Sequence, residues 1–127
     1  MRMLLMIAVA VLGVSVSAFA ERDGNEMGHN CHLAVAYDNG NTLSNTETAD
    51  ALACLSYVAG FLDATHLLGD LDTFKLFCFS GDRVPVMQGV KIFIKYLDAH
   101  PEELHKSAEF LLARSLQEAF PCKASPK

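Results

Sequence analysis

Four cysteines, five histidines and a few isolated acids are the residues of this 127-residue chain best equipped for chemistry. His29-Asn30-Cys31-His32 brings imidazole and thiol ligands close together, the raw material of a metal site. A structural zinc site needs a second ligand pair at a familiar spacing, and the sequence offers none. No metal is expected there. His100 and His105 lie five positions apart, which turns them toward different sides of a helix rather than into one ligand set. His100 is expected at a helix N-terminus and His105 in solvent. His66 falls on the apolar face of a helical stretch, where a hydrogen-bonded core histidine is the ordinary outcome. Asp63 stands amid Leu62 and Ala64, but no acid, base or nucleophile accompanies it as acid–base catalysis requires. It reads as a solvated helix edge, and Tyr57 and Tyr96 read as core. There is no nucleophile elbow, phosphate loop or C-x-x-C pair. The expectation is a protein without catalytic residues or cofactor, hence not an enzyme.

The cysteines point to a different use. Met1-Arg2 supplies one positive charge, Met3 to Val16 is apolar apart from Gly13 and Ser15, and Ala18-Phe19-Ala20 is a small-x-small site before Glu21. A short basic region, an apolar stretch of about fourteen residues and an A-x-A end define a cleaved signal peptide over residues 1–20. The apolar run is shorter than the roughly 20 residues a bilayer requires. No cysteine directly follows it, so neither a membrane anchor after cleavage nor lipid attachment is expected. Cys31, Cys54, Cys78 and Cys122 all lie beyond the cut, in a chain expected in the periplasm. An even cysteine count in a short exported domain reads as a disulfide framework, with three possible connectivities. The formal net charge is −5, and losing Arg2 with the leader makes it −6. That disfavours nucleic acid and anionic membranes as partners.

Residues 21–127 read as a single domain without repeats or linkers. Gly24 to Tyr37 is compatible with a first helix, closed by the turn Asp38-Asn39-Gly40-Asn41. Ser44-Asn45-Thr46-Glu47 has capping-box spacing. The helix it opens carries Ala51, Leu55, Val58, Ala59, Leu62 and His66, with Gly69 as C-cap, and reads as the central helix. Residues 70–85 look irregular. Helical spacing returns at Val86, Val90, Phe93, Ile94 and Leu97. His100-Pro101-Glu102-Glu103 stops that helix and opens the last one, with Pro101 at its first position. Leu104, Ala108, Leu111, Leu112, Leu116 and Ala119 follow, and Pro121-Cys122 ends it. Strand-like alternation is missing, so the fold class is all-α, a small four-helix domain. A tight connection at His100-Pro101 makes the last two helices an antiparallel hairpin, which brings Cys78 toward Cys122 and leaves Cys31 for Cys54.

Cys54-Leu55-Ser56-Tyr57-Val58-Ala59-Gly60-Phe61-Leu62-Asp63 resembles the Rap/Tai-type immunity proteins of bacterial type VI secretion. The likeness continues at Phe77-Cys78 and Gln88-Gly89-Val90. It is strongest from Lys95-Tyr96-Leu97 through His100-Pro101-Glu102 to Leu116-Gln117-Glu118-Ala119-Phe120-Pro121-Cys122. Gly24-Asn25-Glu26 with Cys31 resembles the family's first helix more loosely. The resemblance implies a disulfide-bonded helical protein and a homodimer, whose partner is a peptidoglycan-cleaving amidase rather than a small substrate. From the residues themselves, the acidic loop after the second helix is the expected contact surface. Asp70, Leu71 and Asp72 place an apolar tip between two charges, suited to a cleft with a basic rim. The alternative from another class is a periplasmic stress or chaperone-like helical protein without a toxin partner.

The leader generates a direct prediction. Exported protein should begin at Glu21 in an intact-mass measurement, and a mass retaining residues 1–20 would refute the cleavage.

Overall fold

The helical periodicity of the sequence is realised as four α-helices, α1 (Gly24–Asp38), α2 (Asn45–Asp70), α3 (Val86–Ala99) and α4 (Ala108–Ala119). A 3-10 turn over Pro101–Glu103 lies between the last two. The computed structural model describes residues 22–70, 75–79 and 83–122. The expected leader, 1–20, lies outside these residues, as do Leu71 and Asp72. No β-strand occurs among the described residues, where Asp23 and Ser107 form an isolated antiparallel bridge.

Each helix buries residues at three- and four-residue spacing: Met27, Cys31 and Ala34 from α1; Ala51, Cys54, Val58 and Leu62 from α2. Val90, Phe93, Ile94 and Leu97 come from α3, and Ala108, Leu111, Leu112 and Leu116 from α4. Together they form one hydrophobic cluster. The two disulfides are Cys31–Cys54 and Cys78–Cys122, with Cα separations of 5.1 and 4.8 Å. This is the pairing expected from the hairpin. In the chain-entropy account, loops of 23 and 44 residues give about 3–4 kcal/mol each.

The start signals of α1 and α2 are conventional hydrogen-bond solutions. The Asp23 carboxylate accepts from the Glu26 backbone N–H at 2.9 Å and caps α1. At α2 the capping box forms in full: Ser44 N–H donates to Glu47 Oε2 at 2.8 Å, and Glu47 N–H donates to Ser44 Oγ at 3.3 Å. Between them Gly40 turns the chain at φ 88°, a left-handed conformation that glycine adopts without strain.

Three expectations need correction. The last α-helix does not start at Pro101. Pro101 opens the short 3-10 turn, and α4 begins at Ala108. The reason is tertiary: the intervening carbonyls are taken by the N-terminus of α1. Gly24 N–H donates to Lys106 O at 3.0 Å and Asn25 N–H to Leu104 O at 3.2 Å, while Ala108 N–H donates to Arg22 O at 2.8 Å. Carbonyls turned toward another segment cannot accept within a continuing helix. Gly69 does not cap α2, because the helix runs through it to Asp70. Nor is α2 the most connected helix: it packs chiefly on α1 and α3 and reaches α4 through Tyr57, whereas α1 and α3 each pack against all three of the other helices.

The turn after α3 has its own polar anchor. Tyr96, buried, donates its hydroxyl to Glu103 Oε2 at 2.8 Å, and Lys106 Nζ donates to Glu103 Oε1 at 2.8 Å. The Lys106 ammonium, followed by the Tyr96 hydroxyl, holds the Glu103 carboxyl below its ordinary value. Burial, followed by the hydrogen bond to Glu103, raises the Tyr96 phenol. The Glu26 backbone N–H likewise lowers Asp23, and the Ser44 backbone N–H lowers Glu47.

Two predictions follow from these contacts. A Cβ at Gly24 would meet Leu111 Cδ1 at 2.5 Å and the Leu104 carbonyl oxygen at 2.9 Å, whereas one at Gly60 meets nothing within 4 Å. Gly24→Ala should therefore cost about 1–3 kcal/mol in denaturant unfolding. Gly60→Ala, in a helix interior, should add about 0.5–1 kcal/mol. Reversal of that order would remove the close approach at Gly24. The acids give the second. A carboxyl whose folded pKa is depressed contributes stability above its ordinary pKa and loses it as pH falls through the folded one. Thermal midpoints should thus fall as pH drops below 4.5, the ordinary glutamate value, and Glu103→Gln should flatten that fall.

Candidate functional site

The C-terminal half of α2 is where the expected contact residues and the least covered apolar surface coincide. Over its most apolar 18 residues α2 has a mean hydropathy of 1.4, enough by length and composition alone to cross a membrane. In the fold, one face of it is consumed by Ala51, Cys54, Val58 and Leu62. Leu55, Tyr57 and Phe61 pack half-buried against the core, while Leu52 is 56% exposed, Leu67 60% and Leu68 38%. Gly60 and Ala64 are exposed with them.

Asp70 closes α2 and is exposed. It is the one residue of the expected Asp70-Leu71-Asp72 tip whose position is described. No basic residue occupies the last turn of α2, so Asp70 adds its charge to the negative end of the helix dipole. Asp63 is the solvated edge expected of it, with its carboxylate 3.6 Å from the Arg83 guanidinium and both side chains largely in water. An exposed pair at that distance contributes little to stability.

Beside Asp70 lies a groove of about 320 Å³, between the last turns of α2 and residues 75–79. His66, Gly69, Leu76, Phe77 and Phe79 are among the residues lining it. A chain of rings builds its wall. Phe61 and Phe77 have centroids 6.4 Å apart, and Phe79 lies 4.9 Å from both Phe77 and Phe120. His66 stacks on Phe79 at 5.0 Å. Residues 75–79 thus join the end of α2 to the end of α4. The backbone bond from Cys78 N–H to Phe120 O (3.0 Å) and the Cys78–Cys122 bridge fix them there.

The histidines are dispersed. His66 was expected to be a hydrogen-bonded core residue, but its Nε2 is buried without a hydrogen-bond partner. The ring stack holds it instead. His100 sits at the C-cap of α3, not only ahead of the following turn. Its Nδ1 lies 2.9 Å from the Tyr96 carbonyl and its ring stacks on Tyr96 at 4.2 Å. His105 is exposed. His32 Nε2 lies 3.1 Å from Asp98 Oδ1 across α1 and α3. Cys31 between His29 and His32 is bonded to Cys54 and fully buried, which removes it as a ligand. Among the described residues no group of three His, Cys, Asp or Glu side chains could hold a metal. Tyr57, half-buried, donates to Glu109 Oε2 at 3.3 Å.

Sequence reasoning missed the ring chain and the exposure of Leu67 and Leu68. Phe77 and Phe79 stand in a stretch that reads as irregular, and their partners Phe61 and Phe120 are distant in sequence.

Compared with known proteins, residues 23–122 match the family model described as Rap1a immunity proteins. No curated protein and no solved structure matches the chain.

His66 carries the prediction. Because its buried Nε2 has no partner, His66→Phe loses no hydrogen bond and keeps an aromatic ring against Phe79. Unfolding stability should be unchanged or higher by up to about 1 kcal/mol. A clear loss would reveal a partner for Nε2.

Proposed function

The chain belongs to the Rap1a immunity proteins, and from that premise we propose that it binds and occludes a peptidoglycan-cleaving amidase delivered by type VI secretion. The family implies an immunity protein acting against a toxin by inhibition rather than catalysis. The observation that carries the reading is the extent of the match. Residues 23–122 run from the cap of α1 to the last cysteine, and so include all four helices and both bridges.

The amidase target and the periplasmic site of action go further than the family. The leader over residues 1–20 supports export to the compartment where peptidoglycan is attacked, and two disulfides suit an oxidising environment. The proposed contact surface is Asp70, Leu71 and Asp72 with the exposed end of α2. Acids at the negative end of a helix attract a basic rim, while Leu67 and Leu68 offer apolar area. The working unit in this proposal is a homodimer. No cofactor, nucleic acid or membrane takes part.

The test is neutralisation of a type VI amidase from the same genome. Oxidised protein should abolish its cleavage of purified peptidoglycan. Reversing Asp70 and Asp72 to lysine should weaken binding by about tenfold, chiefly through slower association, and reduce its salt dependence. Unchanged affinity and salt dependence in the double variant would place the interface elsewhere. If no amidase is neutralised, the amidase assignment fails.

A further inference from the structure

The two disulfides occupy opposite environments. Cys31 and Cys54 are both 0% exposed and lie between α1 and α2 within the core. Cys122 is exposed and Cys78 half-buried, beyond the end of α4. Thiol–disulfide exchange requires in-line approach of a thiolate to one sulfur, so access sets which bridge can react in the native state. The outer bridge also has a defined mechanical role. Among the described contacts, residues 75–79 are tied to α4 by that bridge, by the single backbone bond from Cys78 N–H to Phe120 O, and by the Phe79–Phe120 ring contact.

We propose that Cys78–Cys122 is a site of thiol–disulfide exchange with a dithiol reductant, and that its opening releases residues 75–79 from α4 while Cys31–Cys54 stays closed. One thiolate of the dithiol attacks Sγ of Cys122, the more exposed residue of the pair, and the Cys78–Cys122 bond breaks with Cys78 leaving as the thiolate. The second thiol of the reductant then attacks the mixed disulfide, freeing Cys122. The dithiol becomes a cyclic or intramolecular disulfide, and two electrons and two protons have passed to the two cysteines. The four helices keep their inner bridge and the buried residues they contribute to the cluster. What changes is the groove beside Asp70, because Phe77 and Phe79 form its wall and Phe79 stacks on His66. The wall would thus be fastened to α4 only in the oxidised protein. A bearing on toxin contact rests on the immunity reading; the exchange itself does not.

The experiment needs no toxin, so its failure leaves the immunity assignment where it stands. Oxidised protein is treated with graded dithiothreitol under native conditions, quenched with iodoacetamide and mapped by peptide mass. Cys78 and Cys122 should be alkylated at least about tenfold faster than Cys31 and Cys54. Hydrogen exchange of the singly reduced protein, and of the C78S/C122S double variant, should rise at residues 75–79 with α1 and α2 unchanged. Simultaneous opening of both bridges, or earlier opening of Cys31–Cys54, would overturn the site. Unaltered exchange at 75–79 after reduction would overturn the release.

Discussion

Where α1 and α2 cross, Cys31 and Cys54 meet at zero exposure, and most of the architecture depends on that covalent contact. It fixes which face of α2 is turned inward. A helix with apolar residues on nearly every side could bury several different faces. The bridge selects the one bearing Ala51, Val58 and Leu62, and the hydrophobic cluster then closes around it. Its consequence is equally specific: Leu52, Leu67 and Leu68 cannot be buried in the same fold and remain in solvent. For an immunity protein, whose family implies a protein partner, such surface is more useful outside than inside.

A second constraint comes from hydrogen bonding at helix ends. The N–H groups of Gly24 and Asn25 lack intrahelical acceptors and find them on Leu104 and Lys106. The contact needs the backbones close together, and a side chain at position 24 would collide with Leu111 and Leu104. It delays the start of α4 until Ala108 and leaves room for the Tyr96–Glu103–Lys106 cluster at the turn. One close approach thereby sets helix length, turn geometry and the protonation preferences of two side chains.

Stability and recognition are divided between the two ends of α2. The N-terminal half holds the capping box and the inner bridge; the C-terminal half holds exposed leucines, two acids and a groove walled by residues 75–79. The outer bridge belongs to the second region. It fastens a segment for which, among the described residues, Cys78 N–H to Phe120 O is the backbone hydrogen bond to α4, the kind of segment that opens first when its tether is lost.

The sequence by itself determined the helical class, the four helices, the capping box at Ser44, the turn at Gly40 and the cysteine pairing. These follow from local periodicity, side-chain-to-backbone hydrogen bonds within four residues, and the chain reversal of a hairpin. The family resemblance was also legible, in the Lys95-Tyr96-Leu97, His100-Pro101-Glu102 and Ala119-Phe120-Pro121-Cys122 elements. Tertiary structure decided the rest. Pro101 was a sound helix start on local grounds, yet α1 took the carbonyls that a helix there would have used. Gly69 was a sound stop, yet α2 ran on through it. The unpartnered Nε2 of His66 and its stack on Phe79 had no sequence signature, and neither did the outward turn of Leu67 and Leu68. Each depends on which distant segment arrives alongside, and that is fixed by packing and cross-linking rather than by residue order.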